Sequence, residues 1–311
     1  MVVAHNSPFN ISHNAASNQV YGVTQQLNDG IRGLQFETHM PNNTLRLCHT
    51  SCDLLDAGTL EAYLATVVKW LEINPYEVVT IMMGNDDRVD PKNYVALIIN
   101  SGLLRYIYTT PQYPMPLSAW PTFAKMILSQ KRVVVMLDYL ANQNAIPWLL
   151  DQFGQQWQTP FSPTDLSFPC TEQRPPKQLR ETSKNRMYMT NHNLNIEISI
   201  ASISLLVPTY GILNQTNSAN AGTFGSLQRG VENCTAMWGR PPNFLLVDFY
   251  NLGNFNGSVF QVAAMANNVS YNRTQCCGTS GPASNGAKGV RELFDWRSAL
   301  LVTVVLFVAL T

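Results

Sequence analysis

Short apolar runs alternate with longer stretches of mixed polarity along this chain. Seven of the runs read as buried strands: Val2–Ala4, Gly33–Glu37, Leu45–Cys48, Val78–Met83, Val133–Leu137, Met187–Thr190 and Phe244–Phe249. Several are near-continuous rather than alternating, the pattern of parallel strands covered on both faces. Helical periods lie between some of them. Thr59–Ile73 puts Leu60, Tyr63, Leu64, Val67, Val68 and Leu71 on one stripe and stops at Asn74-Pro75. Tyr94–Tyr108, Trp120–Gln130, Asn144–Phe153 and Val259–Asn267 carry weaker helical patterns. The alternation predicts an α/β fold, a distorted TIM-type barrel of parallel strands, as one domain over residues 1–277. Residues 159–184 and 208–222 read as surface loops above it.

The polar residues that end these runs are the candidate chemistry. His5 follows Val2–Ala4, Glu37 ends the second run, and His49 follows Leu45–Cys48. Polar groups at the exits of successive strands are how a β/α barrel builds an active site. Two histidines supply a base and an acid near neutral pH. The chain holds five histidines in all, so two in such positions stand out; His13 and His39 read as bystanders.

Composition narrows the setting. Twenty basic and twenty acidic side chains in 311 residues leave no net charge, and so no electrostatic footprint for nucleic acid. Charged residues make up only 13%. Seven N-x-[ST] sequons, at Asn10, Asn42, Asn214, Asn233, Asn256, Asn268 and Asn272, point to a secretory route. Residues 278–289 read as a flexible Gly/Ser/Ala stalk, and 290–311 as a polar spacer with an apolar tail. The tail, Ser298–Thr311, is too short to span a bilayer. Small residues, spacer and tail in this order form a GPI-anchor signal, with the attachment site at Ser284 or Asn285. No signal peptide precedes Met1-Val2-Val3, so the expectation is a start truncated within the first strand. Six cysteines fit an oxidising compartment and allow 15 pairings. Cys48 and Cys52 are spaced to clamp the turn at His49. The adjacent Cys276 and Cys277 are expected to take distant partners, because bonding to each other strains the link.

Longer stretches carry a resemblance: AHNSPF (4–9), QLNDGIRGLQFETH (26–39), LRLCHTSCDLLDAGTLEAYLATVVKWLEINPYEVVTIMMGN (45–85), KRVVVMLDY (131–139), RMYMTNHNLNIE (186–197) and PPNFLLVDFYNLGNFNGSVF (241–260). Together they resemble the catalytic X-domain of phosphatidylinositol-specific phospholipases C, and more closely the fungal secreted or GPI-anchored PLC-like phosphodiesterases. The resemblance implies a barrel that cleaves a phosphodiester by two-histidine chemistry. His5 is then the general base on the attacking hydroxyl and His49 the general acid on the leaving oxygen, with Asp248 orienting His5.

The same resemblance implies a Ca²⁺ or Mg²⁺ set of Asn6, Gln35, Glu37 and Asp86, with Gln35 standing where the family's calcium-dependent members carry an acid. Asp138 and His192 end strands and are expected to line the substrate pocket. Arg32 and Arg46 face away from the site by strand alternation. The expected substrate is a phospholipid or glycophospholipid head group, reached by a secreted protein held at the cell surface or wall by its GPI anchor. Two other readings compete: a catalytically weak barrel serving as a surface glycoprotein, and a metal-dependent sphingomyelinase D or glycerophosphodiesterase type.

Overall fold

The computed structural model describes residues 1–278, except 13, 201, 202, 256, 274 and 275, and only the backbone of 199, 200 and 203–205. His13, the Asn256 sequon, and the stalk and tail from 279 onward lie outside the described residues. In chain order the strands are β1 (Val2–Ala4), β2 (Gly33–Thr38), β3 (Arg46–His49), β4 (Ser51–Thr59), β5 (Val79–Asn85), β6 (Val133–Leu137), β7 (Leu150–Asp151), β8 (Gln156–Gln158), β9 (Met187–Asn191), β10 (Asn195–Ile200), β11 (Ile203–Pro208) and β12 (Phe244–Val247).

Eight of them form one sheet in the order β7-β6-β5-β2-β1-β12-β9-β8, and every pairing in it is parallel. The two end strands are separated in sequence only by the short helix Gln152–Gln155, so the chain itself brings the sheet's ends together. Among the described residues they share no ladder. The result is the predicted distorted barrel, with one open seam.

Alternation along each strand sorts the core into two layers. Val3, Met82, Met136, Met189 and Leu246 pack with one another in one cluster, while Val2, Ala4, Leu34, Ile81 and Val135 pack in the other, with residues of the surrounding helices. Gly33 lets the strands approach at the centre: a Cβ there would meet the Val3 side chain at 2.5 Å. The helix Leu60–Ile73 forms where the apolar stripe predicts it, capped by Thr59, whose side chain accepts from the backbone of Ala62.

Three expectations are corrected. The Leu45–Cys48 run is not a barrel strand: β3 pairs antiparallel with β4 in a separate ribbon, reversing tightly at Thr50 with φ 62°. Asn144–Phe153 is not a helix, because Pro147 has no N–H to continue one; the segment turns and then extends into β7. Cys276 and Cys277 bond to each other rather than to distant partners, beside the pairs Cys48–Cys52 and Cys170–Cys234.

Among the elements absent from the strand and helix patterns are the helix Leu227–Trp238 and the antiparallel hairpin β10–β11, which follows β9. No described helix is long and apolar enough to cross a membrane.

Candidate active site

Strand β1 sits between β2 and β12, so residues leaving these three strands meet at one end of the barrel. His5 emerges from β1, its backbone N–H donating to Val247 O at 3.0 Å. Asp248 emerges from β12, and His5 Nδ1 donates to its Oδ1 at 2.7 Å. Asn18 Nδ2 donates to the same oxygen at 2.9 Å. The carboxylate therefore fixes the tautomer of His5 and leaves Nε2 to take a proton.

His49 arrives from the β3–β4 ribbon rather than from a barrel strand. Its Nδ1 donates to Ala16 O at 2.7 Å, and Phe9 stacks on the ring with centroids 5.1 Å apart. Its Nε2 therefore has only a lone pair, which accepts from Asn6 Nδ2 at 3.1 Å. Burial lowers the pKa of His49, and the charge of His5 lowers it further. Glu37, the Ala16 carbonyl and Asp248 act in the opposite sense. The net direction favours the neutral form of His49. Its turn is held by the Cys48–Cys52 bond and by Glu37, whose Oε2 accepts from Thr50 N at 3.1 Å.

Asn6 joins the two histidines. It adopts φ 48°, a left-handed conformation that asparagine tolerates better than most residues. Its backbone N–H donates to Gln35 Oε1 at 3.0 Å. Its side-chain amide donates both to His49 and to Asn18 Oδ1, the latter at 3.2 Å. A continuous chain of hydrogen bonds thus runs from His5 through Asp248, Asn18 and Asn6 to His49.

Residues 1–263 match the model of the family described as PI-PLC X 1. The chain belongs to the PI-PLC X family. It is 55% identical over 289 residues to an "Uncharacterized secreted protein" of Arthroderma benhamiae, covering 93% of this chain and 65% of that one. It thus spans just under two thirds of that relative's length. It is 38% identical over 256 residues to a "PI-PLC X domain-containing protein 1" of the same organism, covering 81% and 80%. Among solved structures, a phosphatidylinositol-specific phospholipase C from Staphylococcus aureus superposes with TM-score 0.57 at 13% identity, over 86% of this chain and 91% of that one. The enzyme of that name from Listeria monocytogenes gives 0.50 at 14%, over 80% and 87%. Likeness at these identities shows a shared fold.

In this PI-PLC X barrel a cavity of about 560 Å³ opens against Gln35 and Glu37, which hold the Asn6 backbone and the His49 turn; neither histidine is among the residues lining it. Gln35, Glu37, Asp86 and Asp138 line it, as does Arg174. Asp138 Oδ1 accepts from Asn85 N at 2.8 Å, and Oδ2 lies 3.6 Å from the Arg174 guanidinium. Burial pushes its carboxyl up to about 6. Of the four expected cation ligands, Gln35 spends its Oε1 on the Asn6 backbone, whereas Asn6 Oδ1 is buried without a hydrogen-bond partner. Arg32 and Arg46 are tied to Glu77 and Asp56, each at 2.7 Å.

His192 is placed differently from its expected role as a pocket residue. It is buried against Phe168, and its Nε2 faces the carbonyls of Thr216 and Gly225 at 3.1 and 3.2 Å. Burial lowers its pKa to about 4. A strand-end position does not decide which way a side chain turns, and here the segment following β9 turns it into the core.

Three residues near the site were not singled out from the sequence. Asn18 lies in a loop without periodicity. Arg174 comes from the 159–184 loop, where it packs over Phe153, Phe161 and Tyr139. His39, set aside as a bystander, stands beside Glu37 and Asp86. The Asp86 carboxylate at 3.4 Å, together with Asp87 at 2.8 Å, raises its pKa to about 9. Strand alternation was the available signal for His39, since it lies two residues beyond Glu37.

Proposed function

We propose that this protein is a phosphoric diester hydrolase of the phospholipase C type, acting on a phospholipid or glycophospholipid head group. The observation that carries this is the His5–Asp248 pair, which leaves His5 Nε2 to take a proton and whose carboxylate is linked through Asn18 and Asn6 to a second histidine. His5 Nε2 takes the proton of the hydroxyl that attacks phosphorus. His49, once protonated, gives a proton to the departing alcohol oxygen as its bond to phosphorus breaks. Arg174, the one cationic side chain among the described residues that line the cavity, sets a positive charge for the phosphoryl oxygens there.

Secretion and glycosylation belong to the same proposal. Three disulfides support an oxidising compartment, and the relative named as secreted supports export. The sequon asparagines Asn42, Asn214, Asn233, Asn268 and Asn272 are exposed. The carboxyl-terminal signal anchors the exported chain through GPI at the cell surface or wall, which release by a GPI-cleaving phospholipase tests.

A second reading, a catalytically weak barrel serving as a surface glycoprotein, is favoured by one observation: the His49 lone pair is already engaged by Asn6. Release of labelled head groups from several lipids, with and without EDTA, separates the readings. Turnover lost in both His5→Ala and His49→Ala supports the two-histidine mechanism. No turnover on any lipid supports the second reading, and EDTA-sensitive turnover of a non-inositol lipid supports the sphingomyelinase D or glycerophosphodiesterase type.

A further inference from the structure

Glu37 and His39 stand two residues apart at the end of β2, and so share a side. The parallel register sets Thr38 opposite Asn85, so Asp86, just past β5, comes to the same edge. The ligating atoms of Glu37, His39 and Asp86 all lie within 4.8 Å of one another. His39 Nε2 is closed off from solvent and makes no well-aligned hydrogen bond; its partner is the Asp86 carboxylate, whose Oδ2 lies 3.4 Å away. The other ring nitrogen, Nδ1, is held by Asp87 Oδ1 at 2.8 Å, and Asp87 Oδ2 is itself fixed by Met40 N at 2.7 Å.

A ring nitrogen beside two carboxylates, with its other nitrogen anchored by a third, is an arrangement found at metal-binding histidines. We propose that Glu37, His39 and Asp86 form a binding site for a divalent transition cation of the Zn²⁺ class, with Asp87 as the residue that orients His39. The donor set decides the class. One imidazole and two carboxylates suit Zn²⁺, whereas Ca²⁺ and Mg²⁺ take oxygen ligands. The set also differs from the oxygen-only one expected from sequence, since it gains His39 and Gln35 is engaged elsewhere. Glu37 and Asp86 both line the cavity, so three protein ligands leave positions open toward it. Glu37 holds Thr50 through Oε2, and its Oε1 is the oxygen that would face the cation.

The test titrates the chelator-treated full chain with Zn²⁺ by calorimetry and with Co²⁺ by visible absorption. The expected result is one Zn²⁺ per chain and a Co²⁺ d–d band, both lost in His39→Gln. Asp87→Asn, which keeps all three ligands, is expected to weaken Zn²⁺ about 10–100-fold. Thermal melts of both variants show whether the fold is retained. If His39→Gln does not fold, Asp87→Asn decides. Absence of Zn²⁺ binding by the wild type overturns the proposal, because His39 and Asp86 then share only a proton. Binding unchanged in the folded variants, or Ca²⁺ binding as tight as Zn²⁺, also overturns it. Binding is read without turnover, so its outcome is independent of the proposed hydrolysis.

Discussion

Asn6 Nδ2 donates to His49 Nε2 at 3.1 Å, and this bond requires the imidazole to be unprotonated at that atom. A general acid must carry a proton there, so His49 works only after protonation displaces the Asn6 contact. Burial has already lowered its pKa from 6.5. The acid form therefore grows as pH falls, and the alkaline limb of kcat/KM is expected below pH 6.5. Asn6→Gly removes the opposing donor without strain at φ 48°, so the limb moves to higher pH. A limb unmoved in Asn6→Gly would show that this contact does not control the acid.

Asp248 is 1% exposed and offers Oδ1 to both His5 and Asn18. Asp248→Asn keeps the shape and removes the charge that fixes the His5 tautomer. A loss of about 10²–10⁴ in kcat is expected with KM little changed. Equal loss in KM and none in kcat would make Asp248 a structural residue. Asn18→Ala leaves the carboxylate and is expected to cost about 1 kcal/mol of stability along with a smaller loss of kcat.

Much of the barrel was legible because parallel strands buried on both faces leave uninterrupted apolar runs, as in Val133–Leu137, buried at every position. The His5 position could be read for the same reason: it is the first polar residue after such a run. His49 was found by its motif, but its setting was not, since an antiparallel ribbon edge and a barrel strand share the same short apolar pattern. The pairing that reverses at Thr50 is a tertiary choice. Asn18 and Arg174 left no pattern, because their positions depend on loops folding back over the strand ends. The two-residue strand β7 and the three-residue strand β8 are too short to show a period.

The hairpin β10–β11 exposes Ile196 at 49%, Ile198 at 44% and Leu206 at 37%. It follows β9 at the end of the barrel where the site lies. If the substrate is a lipid in a bilayer, Ile196 and Ile198, which share one face of the hairpin, enter it. Ile196→Asn with Ile198→Asn is expected to reduce sedimentation with phospholipid vesicles several-fold, while hydrolysis of a soluble short-chain substrate stays within about twofold. Equal losses on both substrates would assign the hairpin to folding.

His192 makes acid stability a test of the core. Its pKa falls from 6.5 to about 4 on folding, so between these values the unfolded chain binds more protons than the folded one. Stability from this group is full above pH 6.5 and is lost on acidification toward pH 4, by about 3 kcal/mol in all. Asp138 works in the opposite sense. Its carboxyl is raised from 3.8 to about 6, so its contribution is full below pH 3.8 and is lost as pH rises through 6. The two oppose each other between about pH 4 and 6, and the wild-type profile alone does not isolate either. The difference between wild type and His192→Gln does, because Asp138 cancels. Denaturant unfolding at stepped pH is expected to show that difference largest at pH 7 and shrinking by about 3 kcal/mol toward pH 4. A difference that stays constant across this range would mean that His192 does not remain neutral in the folded core.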